Sequence, residues 1–252
     1  MGPKGPERGA RRPARAHLTV RTQVEVVASV GPRGRTVVDV LHGSGSIAPR
    51  QTGDGQVHLV STAAGPLGGD EICVRLVVRS GACLRVRGVS STLALPGRDG
   101  GPSLATLSAT VEDRARLDVV LEPLIVAASA TVHAETFVEV ADQGALTLCE
   151  QVVLGRWQEP PGRWRGRVVG DLGGRAWLRQ TLSLGPGSPT WDALHRPRAL
   201  VTRLETSGGA VPDARCGSAV RAQLAGGGSL VTSVGADLAA ATRDADAVTA
   251  CD

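Results

Sequence analysis

Among its 252 residues the chain has no tyrosine, one phenylalanine, one methionine and one lysine. Each shortage excludes something. A Walker A loop sets a lysine on the nucleotide phosphates. Here the sole lysine is Lys4, close to the N-terminus, so phosphate binding of that kind is ruled out, as is Schiff-base chemistry at an internal lysine. Aromatics make up 2% of the chain and hydrophobic residues 42%, so the core must be filled chiefly by Val, Leu, Ile and Ala. No GxSxG elbow, HExxH helix or EF-hand loop occurs. Nor does any run approach the roughly 18 uncharged apolar residues of a membrane-spanning helix. The cysteines, at 73, 83, 149, 216 and 251, are scattered and odd in number, with no CxxC pair. That pattern argues for free thiols in a reducing compartment.

Basic charge is plentiful only at one end. The net charge is +4, and residues 1–16 supply all of it, with Lys4, Arg8, Arg11, Arg12 and Arg15 against Glu7. The rest is balanced, which argues against nucleic-acid binding, because that should leave a basic footprint on the folded body. Residues 1–16, rich in Pro and Gly, are expected to be a disordered basic leader, followed by a single β domain over 17–252. Arg11-Arg12 is followed by "ARAHLTVRTQV" in place of an apolar export core, so a soluble, intracellular protein is expected.

What is present is alternation. "HLTVRTQVEVVASV" (17–30), "RTVVDVLH" (35–42) and "QVHLVS" (56–61) read as strands, with "GSGSIAPRQTGDG" (43–55) as loop. In "GPLGGDEICVRLVVRSGACLRV" (65–86), Ile72, Val74, Leu76 and Val78 share one face. Leu84 and Val86 alternate on the far side of Ser80-Gly81. A hairpin with a three-residue loop and Gly81 in the left-handed region would set Leu76 opposite Leu84 and Val74 opposite Val86. Cys73 and Cys83 would then stand roughly 13 Å apart, too far for a disulfide. Further strands follow at 114–123, 129–140, 145–155 and beyond, about a dozen in all, as in a sandwich, barrel or β-solenoid. No repeat of fixed period is visible. Helices are expected near 189–196, where "SPTWDALHR" opens with a cap and a proline, and near 234–248. The 205–230 stretch is Gly/Ala/Ser-rich and weakly specified.

Several clusters invite a chemical reading. His42 and Ser44 in "LHGSGS" would suit a hydrolase, though a glycine-flanked serine usually marks a loop. His133, Glu135 and Glu139 share a strand face with Phe137. They would suit a divalent transition metal or simply face solvent. In "GRWQEPPGRWRGR" two tryptophans stand among four arginines, a pattern for stacking bases or for Arg packed on Trp at a strand edge. Gly68-Gly69-Asp70 reads as a tight turn before a strand.

An ordered set of such features resembles the UreD family of urease accessory proteins. That family carries a Gly-Gly-x-x-Gly-Gly-Asp corner before an alternating strand. Here it stands as Gly65-Pro66-Leu67-Gly68-Gly69-Asp70, with proline for the second glycine. Gly81-Ala82 and "VSSTLAL" (89–95) follow in the expected places. "LDVVLEPLIVAASA" (117–130) then fits a Leu-acid block with a displaced proline, and Glu150 precedes Gly155-Arg156. Gly162 remains where the family has Gly-Glu, but the acid is Arg163. The likeness covers about residues 20–205.

The resemblance implies a scaffold chaperone and no enzyme, built as a mostly β, helix-like stack or sandwich of strands with about two short helices. It implies binding to the urease structural subunits and to a helical partner, UreF, which recruits the nickel-carrying GTPase UreG. No cofactor would be held tightly. Nickel would pass transiently through the scaffold, in the cytoplasm, with no membrane or nucleic acid involved. On this reading Gly68 and Gly69 let the backbone turn tightly beside a cavity, and Asp70 and Glu150 offer carboxylates to a passing ion. His133 and Cys149 are weaker candidate contacts. Weak, separated ligands suit a path that must also release its ion.

Overall fold

The computed structural model describes residues 19–98, 100–206 and 212–250. The expected leader, 1–16, lies outside the described residues, as does 207–211 of the weakly specified stretch. The described chain opens with two hairpins. β1 (Arg21–Val30) pairs antiparallel with β2 (Thr36–Ser44), and β3 (Ile47–Gly53) with β4 (Gln56–Ser61). The segment expected as loop, 43–55, is therefore largely strand. Pro49 is tolerated because β3 lies at a sheet edge, where a missing N–H costs no ladder bond.

From there the chain winds. β5 (Glu71–Val78), β6 (Cys83–Gly88) and β7 (Thr92–Ala94) make one turn. β8 (Ser103–Val111), β9 (Arg116–Val120) and β10 (Leu124–Val126) make the next. β11 (Thr131–Val140) and β12 (Ala145–Leu154) make a third. β13 (Arg163–Leu172) then folds back as β14 (Arg175–Leu184). α1 (Pro189–Ala193) leads to β15 (Ala199–Glu205), β16 (Ala214–Cys216), β17 (Ala219–Gln223), β18 (Ser229–Gly235) and α2 (Leu238–Thr249). Both helices fall close to where their caps place them in the sequence.

The result is a β-solenoid-like stack of two sheets. β1, β5, β8, β11 and β13 run parallel in a seven-stranded sheet, with β2 and β14 antiparallel at its edges. β4, β6, β9 and β12 run parallel in an eleven-stranded sheet, continued by β15, β18, β17 and β16. Glu71 lies beside Leu104, and Leu104 beside His133, so successive turns take 33 and 29 residues. A structural repeat therefore exists without a fixed residue period, because the corners differ in length.

This topology corrects the hairpin expected at 71–87. β5 and β6 do not pair; each finds parallel partners in a different sheet. Gly81 does sit at φ 76°, but the turn it makes rounds the edge of the stack. Glu112 of the next turn holds the corner by accepting from the Ser80 amide at 2.8 Å and the Ser80 hydroxyl at 3.0 Å. Leu76 and Leu84 do share a core, as alternation demands, but across the space between sheets rather than along a ladder. Cys73 and Cys83 are both exposed and unbridged.

The inward faces interlock through small branched side chains. Val26, Val57, Leu76, Val86 and Leu117 are all fully buried in the main core. A second cluster surrounds Trp164 and Trp191. The Trp191 indole donates to the Pro197 carbonyl at 2.7 Å, so its large apolar surface is buried without an orphaned donor. α2 covers the outer face of the larger sheet with Ala241, Ala245 and Val248, over Cys149, Val201 and Val231. Asp237 caps it by accepting from the Ala240 amide at 2.8 Å, a contact worth about 1 kcal/mol. No helix among the described residues is long and apolar enough to cross a membrane.

Candidate functional site

The glycine corner is a point of backbone contact. A side chain on Gly68 would run into the Gly101 carbonyl and the Gly97 nitrogen, and Gly69 sits at φ 95°. Both glycines are needed, one for closeness and one for conformation. Asp70, only 8% exposed, uses both carboxylate oxygens on backbone. Oδ1 accepts from the Val20 amide and Oδ2 from the Leu67 amide, each at 2.9 Å. It thus ties the start of β1 to the corner, and it does not line the interior cavity.

Glu150 does. Along β12 the inward positions are Leu146, Leu148, Glu150, Val152 and Leu154, so an acid stands in an apolar file. A cavity of about 160 Å³ lies between the sheets, bordered by Ile72, Val74, Leu107, Thr136, Glu150 and Trp164 among others. A smaller space of about 20 Å³ lies on the other side, lined by Thr136, Glu150, Trp164, Gln180 and Thr202. A third of about 10 Å³ also touches Glu150 and Thr202. Glu150 and Thr136 therefore stand where these spaces meet. The larger ones have room for water, which needs about 10–15 Å³.

Thr136 Oγ1 donates to Glu150 Oε1 at 2.8 Å. Burial pushes the Glu150 carboxyl above the usual carboxylate range, and the Thr136 hydrogen bond opposes that only in part. The Trp164 indole N–H, on the same walls, is buried and donates to no atom of the described residues. The junction therefore offers one acid, two hydroxyls, an amide and an uncommitted donor.

The other candidates lie elsewhere. Cys149 adjoins Glu150 in sequence, so it points through the sheet the other way, beneath α2. Burial raises its thiol pKa, against the pull of Arg203. His133 lies on the outer face of the smaller sheet, beside Leu104 and Arg165. In its row, Glu135 pairs with Arg167 at 3.6 Å, and Arg167 lies over Phe137, so this face is a solvated ion-pair surface. His42 and Ser44 are exposed on the edge strand β2. The four candidate contacts Asp70, Glu150, His133 and Cys149 thus occupy four separate environments. No group of three or more His, Cys, Asp or Glu able to hold a metal occurs among the described residues.

Thr136, Gln180 and Thr202 were not singled out from sequence. A signal was present for Thr136, the polar break in the inward file Val132, Ala134, Thr136, Val138 and Val140. Gln180 and Thr202 carry no comparable mark.

The description "UreD urease accessory protein" matches residues 14–202. The chain belongs to the UreD family. A urease accessory protein UreD of Streptomyces coelicolor is 40% identical over 178 residues, covering 69% of this chain and 70% of the relative. One from Frankia alni is 33% identical over 271 residues, covering 90% and 91%. UreD 1 of Saccharopolyspora erythraea is 35% identical over 236 residues, covering 89% and 91%. Membership supports a role in urease maturation and places the corner and Glu150 inside the matched region.

Proposed function

We propose that this chain is a non-enzymatic scaffold that, with UreF and through it UreG, binds urease apoprotein in the cytoplasm and assists nickel insertion into its active site. Nickel is cargo on this reading and is never a resident cofactor. The observation that carries the proposal is Glu150, an acid facing the junction of internal cavities with one hydroxyl as its partner. An ion in transit needs donors that are few and weak, because a closed ligand set would retain it. Glu150, with the Thr136 and Thr202 hydroxyls and the Gln180 amide near it, fits that requirement. Asp70 serves the passage indirectly, by holding the corner from which Pro66 reaches the cavity wall.

The test is reconstitution. Urease subunits, UreF and UreG are expressed in nickel medium with and without this chain, and nickel per urease active site is measured. The expected result is a rise that depends on the chain and is reduced by Glu150→Gln. If the soluble chain, with all partners present, produces no rise, nickel delivery is refuted. A β-rich interaction module without a metal role is then the better reading.

A further inference from the structure

On the outer face of the smaller sheet three arginines lie in register with an acid on the neighbouring strand and pair with it. Arg21 lies in register with Glu71 and bonds it at 3.1 Å. Glu25 and Arg75 are in register and paired, and so are Glu135 and Arg167. Two further arginines, both on β13, have no acid in register on the strands directly beside them. Arg163 is in register with Thr131, to whose hydroxyl its Nε donates at 3.2 Å. Arg165 lies between His133 and Ser183, its side chain making no hydrogen bond or ion pair among the described residues. These rows floor a cleft of about 600 Å³, walled by the Ser183–Thr190 segment and by Gly100 and Pro102. Among the described residues no Asp or Glu lines it. Two exposed arginines in a cleft with no acid among its described lining form a basic patch on a body whose net charge is zero, and arginine is suited to bidentate carboxylate recognition.

The loop feeding Arg163 into β13 points to a protein as the occupant. Trp157 at its tip is 90% exposed, so it contributes almost nothing to this fold's core. The loop is nevertheless rigidly held. Arg156 Nε and Nη2 donate to the two Glu159 carboxylate oxygens at 2.9 and 2.8 Å, and Arg198 donates to the Glu159 carbonyl at 2.7 Å. Hydrogen bonds from Arg156 hold the Glu159 carboxyl down to about 2, so the clamp persists throughout the physiological pH range. A preorganised exposed tryptophan on the loop that leads into Arg163 is a residue type enriched at interface hot spots.

We propose that this cleft docks an acidic segment of a protein partner. Arg163 and Arg165 each take a carboxylate, and Trp157 anchors the same partner. Alternate positions on a strand are separated by roughly 6.6 Å, so the segment should carry acids at alternate positions of an extended stretch. The inference does not depend on nickel delivery.

The probe is a fluorescein-labelled extended peptide with a central Glu-x-Glu, titrated by anisotropy with the full chain. The expected result is binding that weakens with salt. It should also weaken at least tenfold in the Arg163→Gln/Arg165→Gln variant and with a Gln-x-Gln peptide, while Arg175→Gln leaves it unchanged. The double variant also separates the cleft from the basic residues 4–15. Both substitutions are on exposed side chains, and an unchanged melting temperature confirms folding. Absence of binding, or equal binding by wild type and double variant, overturns the proposal. Displacement by a single-stranded oligonucleotide at lower concentration than by unlabelled peptide also overturns it, in favour of a nucleic-acid site.

Discussion

Thr136 on one sheet donates to Glu150 on the other at 2.8 Å, across the space that separates them. The bond places an acid and a hydroxyl at the junction of the internal cavities. Because burial raises the carboxyl pKa, the folded protein holds the Glu150 proton more tightly than the unfolded chain does. Its contribution to stability is full below the unfolded value and is lost as pH rises through the folded value. Glu150→Gln removes that dependence. Urea denaturation at pH 5 and pH 8 should show the variant gaining on wild type as pH rises; a gain that is constant or shrinks with pH would refute the assignment.

Asp70→Ala removes acceptors from the Val20 and Leu67 amides. Unmet buried donors cost about 1–3 kcal/mol each, so the melting temperature should fall by several degrees. Urease activation lost in this variant should therefore accompany lost stability, whereas Glu150→Gln should lower nickel loading with the fold intact. Thermal unfolding of both variants, alongside the reconstitution, separates the two roles.

The two corner glycines should respond differently to alanine. At Gly68 the added carbon meets fixed backbone of Gly97 and Gly101, whereas at Gly69 nothing lies within 4 Å and only the positive φ opposes it. Gly69→Ala should cost about 1–2 kcal/mol, and Gly68→Ala clearly more. Equal losses in calorimetry would contradict the close approach.

Solenoid winding can be tested by crosslinking. Cys83 lies in register with Arg116 on the parallel neighbour, so Arg116→Cys should form a disulfide with Cys83 under mild oxidation. A Cys73–Cys83 crosslink should not form. Peptide mapping by mass spectrometry reads both outcomes, and a folded variant without the Cys83 disulfide would refute the parallel β6–β9 rung.

Strands, faces and helix caps were legible because each depends on residues close in sequence. Val74, Leu76, Leu84 and Val86 were assigned to the right side. Their neighbours were not, since alternation says which way a side chain points and is silent on whether the opposing surface is a ladder partner or a second sheet. The same limit applied to the candidate site. Glu150 could be marked, but its meeting with Thr136 depends on two sheets being stacked. The outward position of His133 and the separation of Cys149 from Glu150 follow from strand parity once the inward face is known.

The unequal turn lengths have a further consequence. From β1 to β5 the chain spends 50 residues between register partners Arg21 and Glu71, against 29 between Leu104 and His133. The extra length is absorbed by the β2–β3 excursion, and every rung beside it is kept. The architecture therefore counts rungs and ignores contour length. Equivalent positions in two such proteins should be matched rung by rung, and the outer corners are where loops or reporter tags can be inserted without disturbing the interior.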